Sequence, residues 1–178
     1  GSGMTSTEPD FTFTYHEAQR ERFRTGTLAE EWHEKYPKLF DAEDLKLLTT
    51  SHQRMYHFFE WLSAILLYEA TGYLSLVESY TARTHPKKRE RLESLVGSGI
   101  FEWLDKRQSG QPDLFVYISG TDDWFFCEVK GPKDKLRENQ LKWRADFEGA
   151  LGAMKIPIKG RYRVLCLKEL NDPVREGA

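Results

Sequence analysis

The chain is short of cysteine, of proline and of long apolar runs. Its 178 residues include 2 cysteines and 7 prolines. Two thiols cannot build a disulfide framework. Cys127 and Cys166 both lie in strand-like stretches and read as small apolar side chains of a reduced protein. No apolar run is long enough to span a bilayer and no secretory leader is legible, so a cytoplasmic protein with no membrane partner is expected. Repeats and low-complexity segments are absent, which excludes a solenoid. An excess of either charge is missing as well: 26 Lys and Arg against 28 Asp and Glu leave a formal net charge of −2. Residues 1–60 hold 11 acidic and 7 basic side chains, and residues 61–178 hold 17 and 19. The second stretch is therefore the one better suited to meet nucleic acid.

What is present is the composition of one globular domain with an accessory helical layer. Gly1-Ser2-Gly3 before Met4 reads as a tag scar, and residues 4–14 read as frayed. Short helices are expected over 15–24 and 27–36, then one to about Leu48 with Asp41 as its N-cap. Residues 52–71 predict a long helix, apolar almost all round from Tyr56 to Tyr68 and ended by Gly72. Glu60 is the only acidic residue of that apolar run. A carboxylate so placed should be neutral, bound to metal, or paired at the rim with His57 one turn earlier. Strands follow at 73–80 and 161–167, and residues 171–178 read as tail. Lys87, Lys88, Arg89 and Arg91 cluster on a helix starting near Pro86, where they form a solvated face or contact phosphate.

The hairpin at 112–130 organises the rest. Leu114, Val116 and Ile118 alternate with Phe115 and Tyr117, Gly120 to Asp123 supply a turn, and Trp124 to Lys130 returns as a second strand. Glu128 and Lys130 then project to one face and Val129 to the other. Asp113 opens the first strand, so Glu128 should come back close to it. Two converging carboxylates raise each other's pKa unless a cation sits between them. Mg²⁺ or Mn²⁺ takes such oxygen ligands, the Val129 carbonyl offers another, and a lysine on the same face can orient water or balance phosphate charge. These are parts for metal-assisted phosphodiester hydrolysis. A surface hairpin with an exposed Glu and Lys is the plain alternative. Beyond it, a helix is expected from about Lys135 to Met154, with Asp134 as a cap. Gln140 falls within its apolar stripe of Leu136, Trp143, Phe147 and Leu151, where an amide needs a buried partner.

GQPDLFVYISG followed by FFCEVKGPKDKLRENQLKW resembles the VRR-NUC branch of the PD-(D/E)XK nucleases. The pattern G-x-P-D-L, then E-V-K-G-P-x-D-x-L-x-x-x-Q-x-x-W, is similar to the nuclease domain of Fanconi-associated nucleases. The resemblance implies an α/β fold, restriction-endonuclease-like, with a mixed central sheet flanked by helices. It implies Asp113 and Glu128 as metal ligands, Lys130 as the catalytic lysine and Gln140 as an active-site residue. It also implies a helical glutamate, best matched by Glu60, with Glu69 as the fallback. The nuclease domain would span 51–170 behind an accessory segment at 1–50. A divalent-metal-dependent deoxyribonuclease acting on branched, flapped or otherwise structured DNA is expected. Lys133 and Lys135 join the basic cluster as candidate DNA contacts. The rivals are a Holliday-junction-type resolvase, an antibacterial DNase toxin held by an immunity protein, and an inactive DNA-binding module. A monomer is favoured.

Overall fold

The computed structural model describes residues 8–170; residues 1–7, with the stretch read as a tag scar, and 171–178, read as tail, lie outside the described residues. Five strands form one mixed sheet: β1 (Phe11–Tyr15), β2 (Leu74–Val77), β3 (Leu114–Tyr117), β4 (Trp124–Lys130) and β5 (Tyr162–Glu169). Their order is β1-β5-β4-β3-β2. The three strands β2, β3 and β4 run antiparallel, whereas β5 lies parallel to both β4 and β1. Helices cover both faces. On one side are α1 (Glu17–Thr25), α2 (Thr27–Lys35), α3 (Ala42–Leu48), α4 (Ser51–Tyr56) and α5 (Phe58–Thr71). On the other are α6 (Pro86–Val96), α7 (Ser98–Asp105) and α8 (Glu138–Ala153). Among the described residues no helix is long and apolar enough to cross a membrane.

Strand alternation divides the apolar side chains between two cores. Leu114 and Val116 join Phe125, Cys127 and Val129 beneath α5, while Phe115 and Tyr117 join Trp124 and Phe126 beneath α8. All seven residues of β4 are buried, as a central strand covered on both faces requires. Phe126 packs edge-on against Trp143 and Phe147 of α8, with ring centroids 5.5 and 5.2 Å away. Such pairs contribute about 0.5–1.5 kcal/mol each beyond the area they bury. They fix α8 over β4 and so set where Gln140 stands.

Three elements differ from the sequence reading. Residues 11–15 are an edge strand, not a frayed lead-in, because FTFTY alternates and the parallel pairing with β5 satisfies its backbone. Tyr15 closes that strand, so α1 begins two residues later. The long helix is broken at His57, whose φ and ψ of −126° and 29° end α4 and start α5. Helix α8 begins at Glu138 with Arg137 as its N-cap, and Asp134 lies in the preceding turn.

Within the basic cluster, Lys88 is corrected. Lys88 is buried, with its Nζ 2.6 Å from Asp44 Oδ1 and donating to the carbonyls of Val77 and Glu78 at 2.6 Å each. A solvated lysine would have to give up these three charge-assisted bonds to reach DNA. Arg89 bonds the Thr81 carbonyl and the Asp105 carboxylate, and Arg91 leans on Asp41. Lys87 alone of the four is exposed without a described ion pair. Burial pushes the Asp44 carboxyl up to about 6 against the pull of Lys88. Removing one partner of such a pair strands a buried charge, at a cost of about 3–5 kcal/mol. Lys88→Ala is therefore expected to lower the urea midpoint sharply, whereas Lys87→Ala stays within about 0.5 kcal/mol of the parent. Equal midpoints for the two variants would contradict this assignment.

Candidate active site

The register of the three antiparallel strands builds the site. Val77 pairs with Leu114 and Leu114 with Cys127, so one step further Glu78, Asp113 and Glu128 fall in a row across the sheet. The Glu78 N–H donates to the Asp113 carbonyl at 2.8 Å, which carries the row past the last ladder pair. Asp113 is held from behind: buried Tyr80 donates its hydroxyl to the Pro112 carbonyl at 2.7 Å. Asp113 Oδ2 in turn accepts the Val129 N–H at 2.9 Å.

Helix α8 supplies a clamp. Gln140 Nε2 donates to Glu128 Oε1 at 2.9 Å, and Gln140 Oε1 accepts from Lys130 Nζ at 2.8 Å. The same oxygen accepts the Arg137 N–H at 2.9 Å, so the amide also caps its own helix. One side chain thereby fixes the carboxyl and the ammonium of alternate β4 residues. Glu128, Lys130 and Gln140 are 2%, 4% and 4% exposed, so all three are withdrawn from bulk water. The other Glu128 oxygen, Oε2, is buried with no N–H donor among the described residues, and the Glu128 and Asp113 carboxyls are hydrogen-bonded to each other.

Electrostatics follow from this crowding. Burial drives the Glu128 carboxyl well above the ordinary carboxylate range, and the neighbouring Asp113 pushes it further. Burial raises Asp113 too, with the hydrogen bond from Glu128 and then the Val129 N–H opposing. A buried carboxyl beside a half-buried one resists a second negative charge unless a cation joins them. A set of oxygens of this kind, with one given no N–H donor, fits a hard divalent ion.

Across the site a second cluster closes in from α5. The chain leaves β2 through two residues in the left-handed region, Glu78 and Ser79, with φ of 44° and 46°. A non-glycine residue there costs on the order of 1 kcal/mol, and the Lys88 bonds to the Val77 and Glu78 carbonyls hold the turn. Glu78 Oε1 then stands 3.0 Å from His57 Nδ1, and Glu60 Oε2 stands 2.6 Å from the same nitrogen. The three ligand atoms lie within 4.8 Å of one another, a grouping able to hold a metal ion. Burial, with Asp113 and Glu78 adding to it, lifts Glu60 to about 7 although His57 pulls the other way.

Asp113, Glu128, Lys130, Gln140 and Glu60 thus come together in one region, and Val129 contributes its backbone. Glu69 does not join them: its carboxylate accepts from the Tyr36 hydroxyl at 2.7 Å. Lys87, Arg89 and Arg91 belong to α6, and exposed Lys133 and Lys135 lie in the turn after β4. Glu78 is the residue that sequence reasoning missed. The signal was available, since it is the one acidic residue of YLSLVESY.

The two carboxyls around His57 push its imidazole up to about 10, each by hydrogen bonding, against burial. A raised basic group stabilises the fold fully below its ordinary value of about 6.5, and that contribution is lost as pH rises through about 10. NMR titration of the ring should find His57 still protonated near pH 8, and Glu78→Gln should bring its midpoint down. An unshifted midpoint would show that the cluster does not hold the charge.

The model of the VRR-NUC domain family matches residues 61–156. No curated protein matches the chain. Among solved structures, a crystal structure of paFAN1 bound to 5′-flap DNA with a gap is 21% identical with a TM-score of 0.30. That alignment covers 88% of this chain and 23% of the other, so the chain spans about a quarter of that protein's length. The family match takes in the row from Glu78 to Glu128, Lys130 and the Gln140 clamp, with Glu60 one residue outside its margin, and the chain belongs to the VRR-NUC nuclease domain family.

Proposed function

We propose that this chain is a metal-dependent deoxyribonuclease that hydrolyses phosphodiester bonds in branched, flapped or otherwise structured DNA. The observation that carries the reading is the Asp113–Glu128 pair, two carboxyls hydrogen-bonded to each other with no N–H donor among the described residues for the second Glu128 oxygen. Asp113, Glu128 and the Val129 carbonyl would hold Mg²⁺ or Mn²⁺. When bound, the ion supplies Lewis-acid stabilisation of the phosphate and a more acidic water.

The remaining roles fall to the chain's own groups. Lys130 has three N–H donors and commits one to Gln140, which leaves two for a water or a phosphate oxygen. Gln140 positions it and keeps Glu128 from rotating away. Glu60, raised to about 7, is poised to exchange a proton near neutrality, with His57 orienting it. The similarity of the P-D-L and E-V-K-G-P pattern to Fanconi-associated nucleases supports structured DNA as the substrate. The nuclease domain over 51–170, with 1–50 as an accessory layer, is part of the same reading.

Cleavage of a panel of duplex, flap and four-way DNAs with Mg²⁺ or Mn²⁺ tests it directly. Asp113→Ala and Glu128→Ala should abolish cutting and remove Mn²⁺ binding in calorimetry while the fold persists. Lys130→Ala should retain DNA and metal binding but lose about 10²–10⁴-fold in single-turnover rate. Lys130→Arg should rescue it poorly, because a planar guanidinium cannot act as a base near neutral pH. Near-normal cutting by Lys130→Ala would take the lysine out of the mechanism.

A linkage follows from the raised carboxyls. With folded pKa values above the ordinary range, the Asp113–Glu128 pair carries a proton near neutrality that an incoming cation must displace. Metal affinity should therefore rise with pH. The calorimetric enthalpy should change with the ionisation enthalpy of the buffer. Buffer-independent enthalpies in the parent would contradict a shared proton.

A further inference from the structure

The carboxyl row borders a cavity that the metal chemistry leaves unused. About 330 Å³ of space lies between the turn that leaves β2 and the loop that enters β3. Glu78 and Asp113 form its wall toward the metal ligands, and Ser79, Thr81, Gln108 and Gln111 supply most of the rest. That volume corresponds to roughly ten waters and falls at the lower end of small-molecule sites. None of the lining residues is basic. With carboxyls on one wall and amides and hydroxyls on the others, the cavity repels a phosphate and suits a neutral polar ligand.

The walls are held from outside. Gln111 Oε1 accepts from the Thr81 hydroxyl at 3.3 Å, and Gln111 Nε2 donates to the Leu104 and Arg107 carbonyls at 3.2 Å each. Arg89 holds the Thr81 carbonyl. Gly110 is left-handed, with φ of 81°, and a Cβ on it would stand 2.6 Å from the Asn139 carbonyl oxygen. Glycine there lets the loop rest against the start of α8. Gln108 differs from Gln111. It is exposed, and its side-chain amide has no hydrogen bond among the described residues. An uncommitted amide thus lines the cavity from a loop whose position is fixed.

Resting on the nuclease reading, we propose that this cavity seats the nucleoside next to the scissile phosphate, and that Gln108 reads its base with a preference for adenine. The phosphate stays with the cation at Asp113 and Glu128, and the neutral sugar and base occupy the space beyond Asp113. A carboxamide presents one acceptor and one donor side by side, which pairs with the N6 amino group and N7 of adenine. Gln108 is then a specificity residue, outside the groups that act on the phosphate.

Binding of free deoxynucleosides in EDTA tests the cavity without metal, phosphate or turnover. In ¹⁵N-labelled protein, the Gln108 side-chain amide signals should move on titration with deoxyadenosine and stay still with inorganic phosphate. Gln108→Ala should weaken deoxyadenosine binding by roughly fivefold or more. Its melting temperature should match the parent's, because the residue is exposed. Gln108→Glu keeps the shape but only accepts, so it should favour deoxycytidine, whose N4 amino group donates. With Mg²⁺, cutting of oligonucleotides varied at the base beside the cut should follow the same order in each variant. Equal affinities of the parent for all four nucleosides, or Gln108 signals that no nucleoside moves, would overturn the inference. Failure of the parent to cut any DNA would remove the nuclease reading, and the titrations in EDTA would still decide what the cavity binds.

Discussion

Two carboxyl groups that cannot both be charged stand at the centre of this molecule. Asp113 and Glu128 are brought together by the register of one hairpin, Glu128 buried and Asp113 half-buried beside it. Left alone, that arrangement costs stability, because burial opposes charge on both carboxyls and Asp113 further suppresses ionisation of Glu128. The surrounding side chains are arranged around it: the Val129 N–H on Asp113, the Gln140 amide on Glu128, and the Lys130 ammonium on Gln140. Each donor is placed by an element that has independent reasons to be there. Helix α8 is anchored by the Trp143 and Phe147 rings on Phe126, and Gln140 follows one turn ahead of Trp143.

The opposite wall depends on a different buried charge. Lys88 comes from α6, meets Asp44 from α3, and gives its remaining N–H groups to the carbonyls at the end of β2. A single ammonium thereby joins helices from both sides of the sheet to the turn that carries Glu78. That turn runs through two left-handed non-glycine residues. Strain of this kind persists where the surroundings over-determine it, and it tends to collect at functional positions. Here it aims Glu78 at His57 rather than into the core that Leu76 occupies. The break of the long helix at His57 serves the same cluster from the other direction, turning the imidazole toward Glu60 and Glu78.

Much of this was legible beforehand because periodicity and turn chemistry act locally. The alternation in LFVY, the Gly120 turn and the run WFFCEVK defined the hairpin, and Gln140 was conspicuous as an amide within an apolar stripe. Glu60 stood out for the same reason, a carboxylate in apolar surroundings. The strand FTFTY was not recognised, since its polar half faces outward and its pairing partner lies some 150 residues later. The basic run at 87–91 misled, because a lysine beside other cations gives no sign of an aspartate 44 positions upstream.

The sequence by itself determined the elements that close within a few tens of residues: the hairpin, the faces of its strands and the face of α8. These depend on side-chain alternation and helical pitch, which adjacent residues set together. Only the tertiary structure decided the pairings between distant segments. It buried Lys88 on Asp44, sent Glu69 to Tyr36 and set Glu78 beside His57. It also laid the start of α5 against the end of β4, where Phe59 meets Gly131. A side chain's partner across a core is chosen by packing and desolvation of the whole, and no local window of the chain contains that information.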